Sequence, residues 1–314
     1  GVARVLVKRD DLTDLSLGGT KVRKLEYLLG EAQARGADTV ITTAGAQSNF
    51  LRITAAAARR LGMQPVFVVR GRPDALSEGN LLLMRIFGAD LRFVATDDPY
   101  DPSTVALMRE IEAYVRGRGG QPYVMHLATF SGGLATVGYV SAAVELAEQL
   151  RSRQLVCDHL VRAVGSGTTY AGLLLGLRHA GVPCHILGAS VNTAAAVLRR
   201  HVAGHMRAAA EILGMPAPDL GAEIDITDAH VGPGYGIPTE DSVEAIRVAA
   251  QTEGLVFDPI YTGKAWAALR HAVRAGAVAR DATVTFVHTG GAPLVFQHAA
   301  SVIGGAHVPI RDSH

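Results

Sequence analysis

Two cysteines, one formal unit of net charge and no long apolar run are notable shortages in a chain of 314 residues, and each removes a class of function. Cys157 and Cys184 are too few for a disulfide framework, and neither belongs to a CxxC pair of the kind that binds metal or exchanges electrons. A reducing, cytoplasmic setting is expected. Thirty Lys and Arg residues stand against 29 Asp and Glu, a formal charge of +1, so no polyanion-binding surface is implied and nucleic acid is not an expected partner. There is no run of about 18 apolar residues to cross a bilayer. The opening GVARVLVKRDDL also lacks the basic, apolar, small-residue order of an export leader, so neither membrane nor export is expected. No repeat of fixed period and no low-complexity linker divides the chain.

What is present is 48% hydrophobic and 19% charged, an ordinary folded composition with enough length for a core and two lobes. Apolar runs bounded by Gly or Pro alternate with longer amphipathic stretches, the rhythm of strands and crossover helices in a parallel sheet. The fold class expected is therefore α/β. In residues 22–35 the apolar positions Val22, Leu25, Leu28, Leu29 and Ala32 recur at helical spacing, and Gly36 is placed to stop that helix. Further helices are expected over residues 48–61, 79–87, 104–116, 139–149 and 169–179, and strands over 39–42, 65–69, 91–94, 160–164, 185–189 and 284–288.

Several segments carry chemistry. In Gly18-Gly19-Thr20-Lys21, two glycines let the backbone turn tightly and deliver a lysine to a helix start. A lysine whose pKa is lowered by burial or by a nearby cation can condense with an aldehyde and later act as a base, and Lys24, one helical turn on, is such a cation. Taken alone the segment reads as a plain surface loop and needs partners elsewhere in the chain. Gly165-Ser166-Gly167-Thr168-Thr169 follows an apolar strand and opens a helix, so its small residues let backbone N–H groups converge on an anion. A dinucleotide fingerprint would want glycine where Tyr170 stands, and a Walker loop would want Gly-Lys-Ser/Thr, so a small phosphate monoester fits better than a nucleotide. An empty strand-to-helix turn is the plain alternative.

Gln47-Ser48-Asn49 lies at another helix start, where Ser48 either caps the helix or meets a carboxylate. Gly234-Tyr235-Gly236 and Tyr261-Thr262-Gly263-Lys264 each put a tyrosine in a Gly-rich loop, for chemistry or for packing. His288-Thr289-Gly290-Gly291 ends an apolar strand, where ligands sit in open α/β sheets, although His288 also suits a core. His201 and His205 have the spacing of a helical zinc pair, but Val202 replaces the glutamate a metalloprotease needs. A solvated helix face without metal is expected there.

Taken together the segments resemble the D-cysteine desulfhydrase and 1-aminocyclopropane-1-carboxylate (ACC) deaminase family, pyridoxal-phosphate enzymes of fold type II with the tryptophan-synthase-β-like fold. The likeness runs in order through Lys8-Arg9-Asp10-Asp11-Leu12, Gly18-Gly19-Thr20-Lys21-Val22-Arg23-Lys24-Leu25-Glu26, Gln47-Ser48-Asn49 and Gly79-Asn80-Leu81-Leu82-Leu83. It continues through Gly138-Tyr139-Val140, Gly165-Ser166-Gly167, Tyr235-Gly236-Ile237-Pro238-Thr239-Glu240, Asp258-Pro259-Ile260-Tyr261-Thr262-Gly263-Lys264 and His288-Thr289-Gly290-Gly291. The resemblance implies pyridoxal 5′-phosphate held by Lys21 as a Schiff base, with Lys24 beside it, Asn49 on the phenolic oxygen, and Gly165, Ser166, Gly167, Thr168 and Thr169 on the phosphate. It implies a substrate pocket of Thr20, Gln47, Ser48, Asn49 and Phe50, with Ser48 as carboxylate contact or nucleophile and Tyr235 and Tyr261 flanking a small amino-acid substrate. It also implies a small lobe of residues 24–133, a large one of 1–23 with 134–314, and a homodimer.

ACC deaminases carry glutamate and leucine where this chain has Thr262 and Thr289, which are the desulfhydrase-type residues. A hydroxyl leaves a pyridine nitrogen less protonated than a carboxylate does, and the weaker electron sink suits loss of a β-substituent, whose departure takes the electrons away. The activity implied is Cα deprotonation by Lys21 and β-elimination to pyruvate and ammonia, with β-replacement, ACC deamination and an inert cofactor-binding protein as rivals. Thr20 and Phe50 depart from the family, which has asparagine at the first position and histidine or glutamine at the second. Phe50 exchanges a polar group for apolar bulk, consistent with a substrate larger or less polar than D-cysteine.

Overall fold

The computed structural model describes residues 4–72, 78–96, 98, 101–126, 131–216, 219 and 221–303. Its first half runs β1 (Arg4–Arg9), α1 (Lys21–Ala34), β2 (Thr39–Gly45), α2 (Asn49–Arg60), β3 (Gln64–Arg70), α3 (Gly79–Ile86), β4 (Asp90–Val94), α4 (Pro102–Gly117) and β5 (Pro122–Val124). The second half runs α5 (Gly132–Ser152), β6 (His159–Val164), α6 (Thr168–His179), β7 (His185–Ser190), α7 (Ala195–Ile212), β8 (Asp225–Thr227), α8 (Glu240–Glu253), α9 (Thr262–Arg274), β9 (Thr283–His288), α10 (Pro293–Gln297) and α11 (Ala299–Ile303).

The strands form two sheets, one of order β1-β9-β6-β7-β8 and one of order β4-β3-β2-β5, and every pairing is parallel. The α/β expectation holds. Parallel sheets are covered on both faces, which is why β2 and β9 are buried nearly throughout instead of alternating. One core packs Tyr139, Leu146, Leu174 and Val202 of α5, α6 and α7 on one face of the larger sheet, and a second packs Phe257, Leu269 and Phe286 on the other. A third joins α1 and α2 to the smaller sheet through Leu28, Leu51 and Phe67.

The differences from expectation have physical causes. Helix α5 begins at Gly132, seven residues before the expected start, because the glycines that suggest a break are contact points: a Cβ on Gly138 would lie 2.2 Å from the Arg23 carbonyl oxygen. Strands β1, β5 and β8 escape the apolar pattern, β1 because it is a half-exposed edge and the other two because they have three residues each. Helix α7 is not a solvated face, since Leu198, Val202 and Met206 are buried in the core. Among the described residues no helix is long and apolar enough to cross a membrane.

A parallel sheet delivers all its strand ends to one edge, and here both sheets meet the same cavity there. Gly45 and Arg70 at the ends of β2 and β3 line it, as do Gly165 after β6, Asn192 after β7 and Thr289 after β9.

Candidate active site

The cavity has a volume of about 520 Å³. Lys21 reaches it from the first residue of α1, after four successive residues with positive φ: Ser16 at 49°, Leu17 at 61°, Gly18 at 64° and Gly19 at 126°. Such a run is costly for residues with a Cβ, and at Gly18 an added Cβ would lie 1.8 Å from the Asp11 carbonyl oxygen. The buried Arg52 of α2 braces the turn, donating from Nη2 to the Gly18 carbonyl (3.1 Å) and from Nη1 to Ser16 Oγ (3.3 Å). Among the described residues the Lys21 Nζ has no hydrogen-bond partner. Burial first and the guanidinium of Arg162 second lower its pKa to about 8, partly opposed by the Asp258 carboxylate.

Two contacts join the lysine helix to the Gly165–Thr169 loop. Lys24 Nζ donates to Thr168 Oγ1 at 2.7 Å, and Thr20 Oγ1 lies 3.3 Å from Thr169 Oγ1. Gly167 adopts φ +89° at the N-cap of α6, no side chain caps that helix, and its first N–H groups are left for an anion. Gly165, Ser166, Gly167 and Thr169 line the cavity, whereas Thr168 stands behind the wall and bonds Lys24 and Ser166.

On the opposite side, Ser48 caps α2, its Oγ accepting from the N–H groups of Phe50 and Leu51. Those bonds occupy its lone pairs and leave its own proton to donate. Asn49 is fixed by Asn80, whose Nδ2 donates to Asn49 Oδ1 at 2.9 Å, so the Asn49 amide N–H₂ is the end left for the cavity. Gln47 is absent from the wall; its side chain bonds the Glu78 carbonyl and the Asn80 N–H and so ties the helix start to α3. Thr20, Ser48, Asn49 and Phe50 are wall residues.

Tyr235 and Tyr261 meet hydroxyl to hydroxyl at the cavity mouth, with Tyr235 49% exposed. Lys264 holds the loop of Tyr235 by donating to the Val231 carbonyl at 2.7 Å. The buried Asp258 organises the next loop: it accepts from the N–H groups of Ile260, Tyr261 and Thr262 and from Thr262 Oγ1 at 2.7 Å. The Thr262 hydroxyl is consumed in that arrangement and lies outside the wall, while Thr289 lies in it. Burial lowers the pKa of His288 to about 4, and its Nδ1 accepts from the Gly290 N–H.

Residues that the motifs passed over complete the site. Arg52, Arg70 and Arg162 line the cavity, and Arg162 is visible in the sequence as the one charged residue inside an apolar strand. His201 and His205 are wall residues as well, His205 Nε2 lying 3.1 Å from the Ser166 carbonyl oxygen. Among the described residues no cluster of three potential metal ligands exists.

A cavity that joins an unpaired, desolvated lysine to an uncapped helix N-terminus suits a phosphorylated aldehyde. A protein-family model described as "Pyridoxal-phosphate dependent enzyme" matches residues 1–290. The crystal structure of an ACC deaminase homologue superposes with a TM-score of 0.85 at 34% identity, covering 95% of this chain and 88% of that one. The apo form of Escherichia coli diaminopropionate ammonia lyase gives 0.67 at 20% identity over 98% and 83% of the two chains. A threonine deaminase from T.th. gives 0.64 at 19% over 92% and 87%. The last two establish likeness of fold alone. By the family match and the whole-chain likeness, this chain belongs to the pyridoxal-phosphate dependent enzymes of fold type II.

Proposed function

We propose that the protein is a lyase that removes the Cα proton of a small amino acid and expels its β-substituent, leaving an enamine that one water hydrolyses to pyruvate and ammonia. The cavity fits its cofactor: among the described residues it holds a lysine without a hydrogen-bond partner, a helix start without a side-chain cap and an Arg162 guanidinium with two nitrogens lacking acceptors, which suits an anionic aldehyde. Bound pyridoxal phosphate supplies the electron sink for the carbon–hydrogen bond to be broken. Lys21 holds it and then, as a neutral amine, takes the Cα proton. Asn49 presents its amide N–H₂ to the phenolic oxygen, and Gly165, Ser166, Gly167 and Thr169 take the phosphate. Ser48 donates its proton to the substrate carboxylate, a better use of an oxygen already accepting two hydrogen bonds than nucleophilic attack. The tyrosine pair of Tyr235 and Tyr261 holds or moves a proton beside the leaving group.

The observation that carries this reading is the hydroxyl of Thr289 in a wall where, among the described residues, the sole carboxylate is the exposed Asp98. Thr289 is the group we assign to the ring nitrogen. Incubating the holoenzyme with D-cysteine, L-cysteine, β-chloro-D-alanine and ACC, while assaying keto acid and sulfide, tests the reading. Pyruvate from a β-substituted amino acid, lost in Lys21→Ala by at least about a thousandfold, supports it. The 34% identity to an ACC deaminase homologue favours a second reading, ring-opening deamination, which predicts 2-oxobutyrate from ACC instead.

A further inference from the structure

Arg162 stands in β6, three residues before the Gly165 loop, and is 5% exposed. Among the described residues its Nε and Nη1 have no hydrogen-bond partner, although Arg162 lines the cavity with Lys21 and Lys24. The groups around it come from four elements: Asp10 after β1, Lys21 and Lys24 of α1, Tyr139 of α5 and Tyr170 of α6. None of them neutralises it. Asp10, the one carboxylate among them, already accepts from Arg23 Nε and Nη2 and from the Tyr139 hydroxyl. Tyr170 donates its proton to the Ile186 carbonyl. Three buried basic groups therefore converge on one cavity, and the carboxylate beside Arg162 is committed elsewhere. A buried guanidinium with unpartnered N–H groups is costly, and the place of Arg162 in the wall puts that guanidinium beside whatever the cavity binds.

Lys24 shows where the acceptor sits. Its Nζ is anchored on Thr168 Oγ1 at the uncapped start of α6, so the second cation of the cluster stands at the anion end of the cavity. We propose that Arg162 is a phosphate-binding residue: with Lys24 it holds the cofactor's phosphate ester from the sheet side, opposite the backbone N–H groups of the Gly165–Thr169 loop. Two phosphate charges then meet the Arg162 guanidinium and the Lys24 amine, and the guanidinium supplies charged N–H donors to the ester oxygens. Burial first, and then the neighbours Lys21 and Arg162, push Lys24 well below its ordinary value; a dianion bound beside it favours its charged form.

The test compares pyridoxal phosphate with unphosphorylated pyridoxal on the full chain freed of cofactor, in wild type, Arg162→Met and Arg162→Lys. Binding is followed by absorbance, and inorganic phosphate is added as a competitor. The expected result for Arg162→Met is at least tenfold weaker pyridoxal phosphate binding, with pyridoxal weakened less than threefold and inhibition by phosphate reduced in parallel; a tenfold loss is about the worth of one charge-assisted hydrogen bond. Equal loss for both ligands would assign Arg162 a structural role and overturn the proposal. Unchanged cofactor binding with weaker binding of an acidic amino acid such as O-phosphoserine would overturn it too, moving the subsite to the substrate. If Arg162→Met does not fold, the preference for the phosphorylated ligand in Arg162→Lys decides: a threefold fall supports the proposal and an unchanged preference overturns it. Failure of wild type to take up pyridoxal phosphate at all would overturn the cofactor assignment itself.

Discussion

Lys24 Nζ donates to Thr168 Oγ1 across 144 residues of chain, at 2.7 Å and fully out of water. The helix that begins with Lys21 is thereby locked to the helix whose N-terminus receives an anion, so the amine and the phosphate site keep a fixed spacing. A lysine that must meet one atom of a cofactor held elsewhere needs such a spacing.

The protonation of Lys21 follows from its surroundings. Its folded-state pKa of about 8 lies below the ordinary lysine value of 10.5, so at pH 7 about a tenth of the amine is neutral, against a few molecules in ten thousand for an exposed lysine. Between pH 8 and 10.5 the unfolded chain binds the proton that the folded one has shed, so this group adds to apo-protein stability as pH rises through that interval, and the gain is lost as pH falls through about 8. The rate at which cofactor-free protein takes up pyridoxal phosphate should climb about tenfold per pH unit below 7 and level off above about 8. A rate still climbing steeply at pH 9.5 would mean that Lys21 is an ordinary lysine.

Asn80 positions Asn49. Replacing Asn80 with Ala removes donors to Asn49 Oδ1 and to the Gln47 carbonyl in a buried setting, a loss of about 1–3 kcal/mol. Thermal melts should show that cost, and cofactor affinity should fall as the Asn49 amide becomes free to rotate. Equal melting temperatures for the variant and wild type would rule the role out.

Asp10 and Glu145 both pair with Arg23, but in different media. Asp10 is buried and also accepts from Tyr139, whereas the Glu145 side chain is 42% exposed. Asp10→Ala should cost about 3 kcal/mol in denaturant unfolding, and Glu145→Ala less than about 1 kcal/mol. The two costs coming out alike would contradict the burial argument.

Phe50 is a specificity position. It lines the cavity from the second residue of α2 and supplies an apolar surface beside Ser48 and Asn49. Phe50→His should shift kcat/KM toward polar β-substituents by about tenfold relative to apolar ones, the scale of one added polar contact in a pocket. A uniform drop across substrates would locate the substrate away from this residue.

Much of the site is legible in the sequence because local chemistry demands it. Two glycines before Lys21 and the small residues around Gly167 can be recognised without tertiary contacts, since backbone sterics alone require them. Helix α1 is recognisable by its apolar spacing, and its start matches within one residue. Arg52, Asp258 and Asn80 are not legible as site residues, because each acts through a partner dozens of residues away or through backbone N–H groups that only the folded loop presents. His201 and His205 show the same limit: their spacing describes a helix face, but nothing local says that the face closes a cavity. The reverse holds for Thr168, Thr262 and Gln47, where a motif marks the vicinity of a site and cannot distinguish the wall from the brace behind it.

The order of strands in the larger sheet has a bearing on how the enzyme is made. β9 lies between β1 and β6, so β1 stays without its neighbour until residues 283–288 emerge. The smaller sheet needs nothing beyond residue 124 and can assemble long before. Lys21 reaches its working position only when Thr289 arrives to accept from the Thr20 N–H and Gly290 to pack against Gly19. A ribosome-bound or truncated chain that stops before Thr289 therefore has the lysine but no seat for the cofactor, and uptake of pyridoxal phosphate reports that the chain has been made through Gly290.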